Sequence, residues 1–169
     1  MRLAAAFIPV LALALGACSH SKGAELATSP AVAPNGVKHM ARPIEVAPGL
    51  EGSSVPAVFE QVFCSAMFER NDKQVVCPDQ IRAFVAYQRE RGAATGESMS
   101  IEEIAKAFET PRDVILSAGL SGDVVLVNAA VVDRSGNALG RFQVKLAHDG
   151  ADVTERAAEL AAQVVALPK

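Results

Sequence analysis

Residues 113–147 read DVILSAGLSGDVVLVNAAVVDRSGNALGRFQVKLA. Apolar and β-branched residues fill three runs, and a glycine-containing turn separates each from the next. Residues 114–120 and 124–132 are joined by Ser121-Gly122, a two-residue hairpin signal. Arg134-Ser135-Gly136-Asn137 joins the second run to residues 139–147. The stretch predicts three consecutive strands paired antiparallel. The middle strand opens Val124-Val125-Leu126-Val127, apolar at every position, which is the pattern of a strand covered on both faces. Asn128 is a polar interruption in it. The last strand alternates: Phe142, Val144 and Leu146 point one way, and Arg141, Gln143 and Lys145 the other. One face of that strand must meet water or a partner.

Working outward, residues 152–167 place Val153, Ala157, Leu160, Ala161 and Val164 on one helical stripe, with Asp152 and Glu155 as a capping-box pair. Upstream, Ser100 and Glu103 open a short helix that Pro111 stops. Residues 92–99 are a polar, Gly-containing loop. Pro78 and Asp79 suit the start of a helix running to about Arg91, with a short strand at 74–77 before it. Val55, Val58, Phe59, Val62, Phe63, Ala66 and Met67 recur every three or four residues and predict a helix ending near Arg70. Residues 44–47 alternate and stop at Pro48-Gly49, a short strand. The order is β-α-β-α-α-β-β-β-α. This predicts an α/β (α+β) single mixed-sheet domain over residues 44–169, with helices packed on the sheet.

Residues 18–43 contain Pro30, Pro34 and Pro43 among Ser, Gly, Ala and Asn and show no apolar period, the composition of a flexible tether. Residues 3–15 carry no charge, follow Arg2, and lead through Leu15-Gly16-Ala17 into Cys18. A basic start, an apolar run and small residues at its end form a secretory signal over residues 1–17. The run is well short of the roughly 20 residues of a spanning helix. The Leu15–Cys18 stretch resembles the lipobox of bacterial lipoproteins. That resemblance implies cleavage before Cys18, lipid (palmitate among the chains) on its thiol, and, with Ser19 following, an outer-membrane address.

The whole chain has 16 basic and 19 acidic side chains, for a net charge of −3, and no basic cluster, which argues against nucleic acid as a partner. His20, His39 and His148 have no zinc-ligand spacing, and no phosphate loop or Gly-x-Ser-x-Gly elbow is present. Two of the histidines fall in the tether and His148 in a turn beside Asp149. No cofactor, metal or catalytic residue is expected. Cys64 and Cys77 allow one intramolecular pairing, and export permits it. A structural disulfide between them, tying the first helix to the second strand, is the expectation, with two separate thiols as the alternative, while a redox pair normally sits closer, as Cys-x-x-Cys.

Residues 72–92, DKQVVCPDQIRAFVAYQRERG, together with residues 113–146 resemble the periplasmic domain of CsgG-like, TolB N-terminal-like and LpoB-like lipoproteins. The resemblance covers about residues 44–167. It implies a non-enzymatic, lipid-anchored adaptor or assembly factor of the cell envelope, facing the periplasm and acting by protein–protein docking. The docking surface is expected at Arg141, Gln143 and Lys145 and at the 92–99 loop. The alternatives are an oligomeric component of an envelope machine, for which self-association would be needed, and a small periplasmic ligand-binding protein.

Overall fold

The computed structural model describes residues 36–92 and 99–168. The signal segment, Cys18 and most of the 92–99 loop lie outside the described residues. Six strands and four helices follow one another as β1 (His39–Ala41), β2 (Glu45–Val46), α1 (Val55–Arg70), β3 (Val75–Val76), α2 (Pro78–Arg91), α3 (Ile101–Ala107), β4 (Arg112–Ser121), β5 (Val124–Asp133), β6 (Ala138–Ala147) and α4 (Val153–Val165). The strands form a single mixed parallel and antiparallel sheet in the order β3-β1-β4-β5-β6, with β2 continuing the β1 lane beside β4, and the helices pack on it in an α/β fold. β1 runs parallel to both β3 and β4, and β4, β5 and β6 form the expected antiparallel meander.

The added strand is β1, which corrects the tether boundary. His39, Met40 and Ala41 are fully buried in the middle of the sheet, so the fold takes in residues that composition assigned to the tether. Three residues are too few to show alternation, and Pro43 imitates a linker.

One sheet face is covered by α1 and α4. Val55, Phe59, Phe63 and Met67, each four residues apart, meet Val114, Leu116, Val125, Val127, Val131 and Leu146 there, and α4 adds Ala157, Leu160, Ala161 and Val164. Phe59 and Phe63 stack with ring centroids 6.2 Å apart. Burying each contributes about 1.5–3 kcal/mol. The inward stripe of α1 is rotated from expectation: Val58 is 42 % exposed, whereas Cys64 is buried. Gly140 gives Leu167 and Phe142 room at the end of α4, since a Cβ there would come within 3.0 Å of both.

Among the described residues the other face is covered only at one end. Met40 and Val76 point into a second cluster with Ile81 of α2 and Ile104 and Ala105 of α3. β5 is therefore not buried on both faces as its apolar run predicts. Val125, Val127, Ala129 and Val131 are buried under α1 and α4, while Leu126, Ala130 and Val132 are half-buried and Asn128 is exposed. The reason is placement: α2 and α3 pack over β1 and β3 and leave the centre of β5 uncovered.

Turn chemistry is mostly as read. The β4–β5 turn is shifted by one residue to Gly122-Asp123, with Gly122 at φ +64° in the first central position and Asp123 outside the left-handed region, as in a type II′ turn. The Ser100–Glu103 capping box forms, with Glu103 N–H donating to Ser100 Oγ at 3.3 Å and Ser100 N–H to Glu103 Oε2 at 2.7 Å. Ser100→Ala is expected to cost about 1 kcal/mol in urea unfolding. A loss under about 0.3 kcal/mol would show that the box adds nothing. Asp152 forms no such box. Its carboxylate accepts from Ala147 N–H at 2.9 Å and faces Arg156, so it closes the β6–α4 corner instead.

Candidate functional site

Among the described residues, no helix lies over the centre of one face of β4, β5 and β6. Strand register arranges it in rows. Glu45 of β2, Ser117 of β4, Asn128 of β5 and Gln143 of β6 lie side by side across four lanes. Gln143 Nε2 donates to Asn128 Oδ1 at 2.7 Å. The row on one side holds Gly119, Leu126 and Lys145, and the row on the other holds Ile115, Ala130 and Arg141. A shallow hollow of about 520 Å³ runs over this face between Glu45 and Arg141. β6 is the edge strand, and its outer backbone pairs with no strand among the described residues. A bulge between Val131 and Val132 sets the lower end of the β5–β6 pairing, where Leu139 is left without a partner residue.

The structure thus brings Arg141, Gln143 and Lys145 to one exposed face. Glu45 and Ser117 join them, and neither stood out in the sequence. Their membership depends on a parallel register between distant strands, and the only local sign is a polar residue between apolar ones.

Cys64 and Cys77 are joined by a disulfide with Cα atoms 5.9 Å apart. Cys77 is the N-cap of α2, with its N–H donating to Gln80 Oε1 at 2.9 Å and Pro78 next in the first turn. Beside it Glu60, nearly buried, accepts from Ile44 N–H at 2.6 Å and from Arg82 Nη2 at 2.8 Å. Arg82 also bonds Asp79 at 2.6 Å, and these two carboxylates raise its pKa further above the guanidinium norm. Disulfide and ion pairs together pin the start of α2, whose own buried residues are only Pro78 and Ile81.

His39, expected in the tether, lies under the C-terminal end of α1. Asn71 Nδ2 donates to Val37 O at 2.7 Å and Gln74 O at 3.1 Å and lies 3.2 Å from His39 Nδ1. Among the described residues His39 Nε2 has no hydrogen-bond partner. Burial disfavours its charged form, Arg112 opposes it further, and a backbone bond with Val37 offsets only part of this, so its pKa is lowered to about 4.

A cleft of about 500 Å³ lies between α3 and the β5–β6 turn, lined by Arg42, Glu102, Lys106, Asp113, Asp133 and Arg134 among others. Its charges are largely committed within the chain. Arg42 pairs with Asp113 at 2.5 Å, and Arg134 Nε donates to Thr110 O at 3.2 Å. Asp133 takes hydrogen bonds from the Asn137 side chain, the Asn137 N–H and the Ser135 N–H, which hold its carboxyl below the usual range. His148 and Asp149 fall at the β6–α4 turn, where Asp149 Oδ1 accepts from Ala151 N–H. Among the described residues there is no group of three metal-ligating side chains, and no helix is long and apolar enough to cross a membrane.

No family model matches the chain, and no curated protein matches it. Solved structures do. A PelC dodecamer from Paraburkholderia phytofirmans aligns with a TM-score of 0.48 at 13% identity, over 78% of this chain and 88% of that one. A lipoprotein from Neisseria meningitidis aligns at 0.43 and 14% identity, over 76% and 96%. The LpoB C-terminal domain from Salmonella enterica aligns at 0.44 and 9% identity, over 68% and 84%. The last is one of the domain types that residues 72–92 and 113–146 resemble.

Proposed function

We propose that this chain is a lipid-anchored docking module of the bacterial envelope, held at the outer membrane through Cys18 and acting in the periplasm by binding rather than by chemistry. The observation that carries the reading is the uncovered face of β4–β6. Three ten-residue strands present Asn128, Arg141, Gln143 and Lys145 to solvent although the same strands bury Val114, Leu116, Val125, Val127, Val144 and Leu146 on their other side. A sheet needs one buried face to be stable, so the exposed one is available for recognition. The mildly acidic balance and the signal-like first 17 residues agree with an exported, anchored domain.

Two measurements test it. Labelled palmitate should be incorporated into the chain and lost in Cys18→Ser. A photo-crosslinker at Asn128 should trap a discrete protein species in the native envelope, and one at exposed Tyr87 of α2 should not. Absence of label removes the anchor. Absence of a crosslinked species at Asn128 removes the docking face.

A further inference from the structure

The charges on the open sheet face are not evenly placed. Glu45 stands at one margin, in the β2 lane. Arg141 and Lys145 stand at the other, on β6. Between them lie the uncharged Ile115, Ser117 and Gly119 of β4 and Leu126, Asn128 and Ala130 of β5. We infer that the occupant of this face is a second copy of the chain, packed face to face about a two-fold axis that runs parallel to the strands over the β4–β5 boundary. The inference rests on the docking reading above and names its partner.

The two-fold operation exchanges the margins and keeps each row. Glu45 of one copy then meets Gln143 of the second, with that copy's Arg141 and Lys145 two residues away on either side, about 7 Å along the strand. The contact occurs twice, and Glu45 is never set against Glu45. The inner lanes also match. Ser117 meets Asn128, and in the flanking rows Ile115 meets Ala130 and Leu126 meets Gly119, so a large side chain faces a small one in both. Sheet twist turns facing sheets by roughly 30°, which the long Arg, Lys and Glu side chains can absorb. Self-complementarity of one patch is what a two-fold interface requires.

Area sets the strength. Ten-residue strands spaced at about 4.8 Å give a planar footprint of roughly 30 Å by 15 Å per copy, or about 900 Å² for both. Stable interfaces bury about 1,200–2,000 Å². The dimer is therefore weak and concentration-dependent, and the polar central row keeps the face soluble when it is unpaired.

Sedimentation of the full chain in detergent should show a monomer–dimer equilibrium. Glu45→Lys, and separately Arg141→Glu with Lys145→Glu, should each weaken it tenfold or more. Combining all three reversals should restore it. Circular dichroism of each variant checks that the fold persists. A chain that stays monomeric at every concentration, a dimer indifferent to charge reversal, or a triple variant that fails to recover overturns the inference. The Asn128 crosslinker separates the two levels. A crosslink to the chain itself supports the second copy, a crosslink to another envelope protein removes this inference and leaves the docking module, and no crosslink removes both.

Discussion

Replacing Cys64 and Cys77 together by alanine is expected to lower the unfolding free energy by about 3 kcal/mol. The bridge joins residues 13 apart, and closing a loop of that length restricts the unfolded chain by about this amount in the chain-entropy model. Cys64 is buried, so its loss also leaves a small void against α1's neighbours. The effect should be uneven across the domain. α2 buries little of its own length, so its N-terminus depends on the bridge and on the Glu60–Arg82 pair. Amide exchange over residues 78–91 should accelerate more than over β4–β6. Urea unfolding of the oxidised chain and the double variant gives the total, and a difference below about 1 kcal/mol would show that the bridge is incidental. Uniform acceleration of exchange would show that α2 is not specially dependent on it.

Acid should destabilise the fold well above the range where carboxylates titrate. His39 is fully buried with its pKa lowered to about 4, against 6.5 for a free imidazole. The folded state thus binds this proton less readily than the unfolded state. Its contribution is complete above pH 6.5 and is lost as pH falls from 6.5 through about 4. The difference corresponds to about 3 kcal/mol at full loss. Urea midpoints measured between pH 7.5 and 4 should fall accordingly. His39→Leu, which cannot take up the proton, should flatten that slope whatever it does to stability at pH 7.5. A parallel slope in the variant would assign the acid sensitivity elsewhere. Asp133 and Asp152 have lowered pKa values and so lose their contributions only at more acidic pH.

Local chemistry made much of this legible before any coordinates. The meander shows because each strand is ten residues long and each turn carries its glycine, and β6 shows which face is polar because Arg141, Gln143 and Lys145 alternate with apolar residues. β1 does not show. Its three residues bury on both sides, and its partners Val75 and Arg112 are distant in sequence. The same distance hides Glu45 and Ser117, whose common face exists only once β2 pairs with β4. The exposure of one side of β5 is hidden for another reason. Val-rich composition fits burial, and whether helices reach that side depends on where α2 and α3 dock. The disulfide is expected because export permits the one pairing that Cys64 and Cys77 allow, and the fold brings their Cα atoms to 5.9 Å.

The position of β1 has a mechanical consequence. If lipid on Cys18 fixes the chain to a membrane, a pull on the domain arrives from the N-terminal side of β1, through Val37 and Lys38, which are bonded to Asn71 and Phe108, and then His39. That strand is not at a margin of the sheet. It lies between β3 and β4 and is parallel to both. A load drawn along its axis is shared by the hydrogen bonds on both flanks at once, whereas an edge strand would peel one bond at a time. Arg42 N–H to Val114 O and the Arg42–Asp113 pair brace the same lane just beyond it. A pull arriving from the side of Cys18 would therefore meet a strand held on both flanks rather than a free edge.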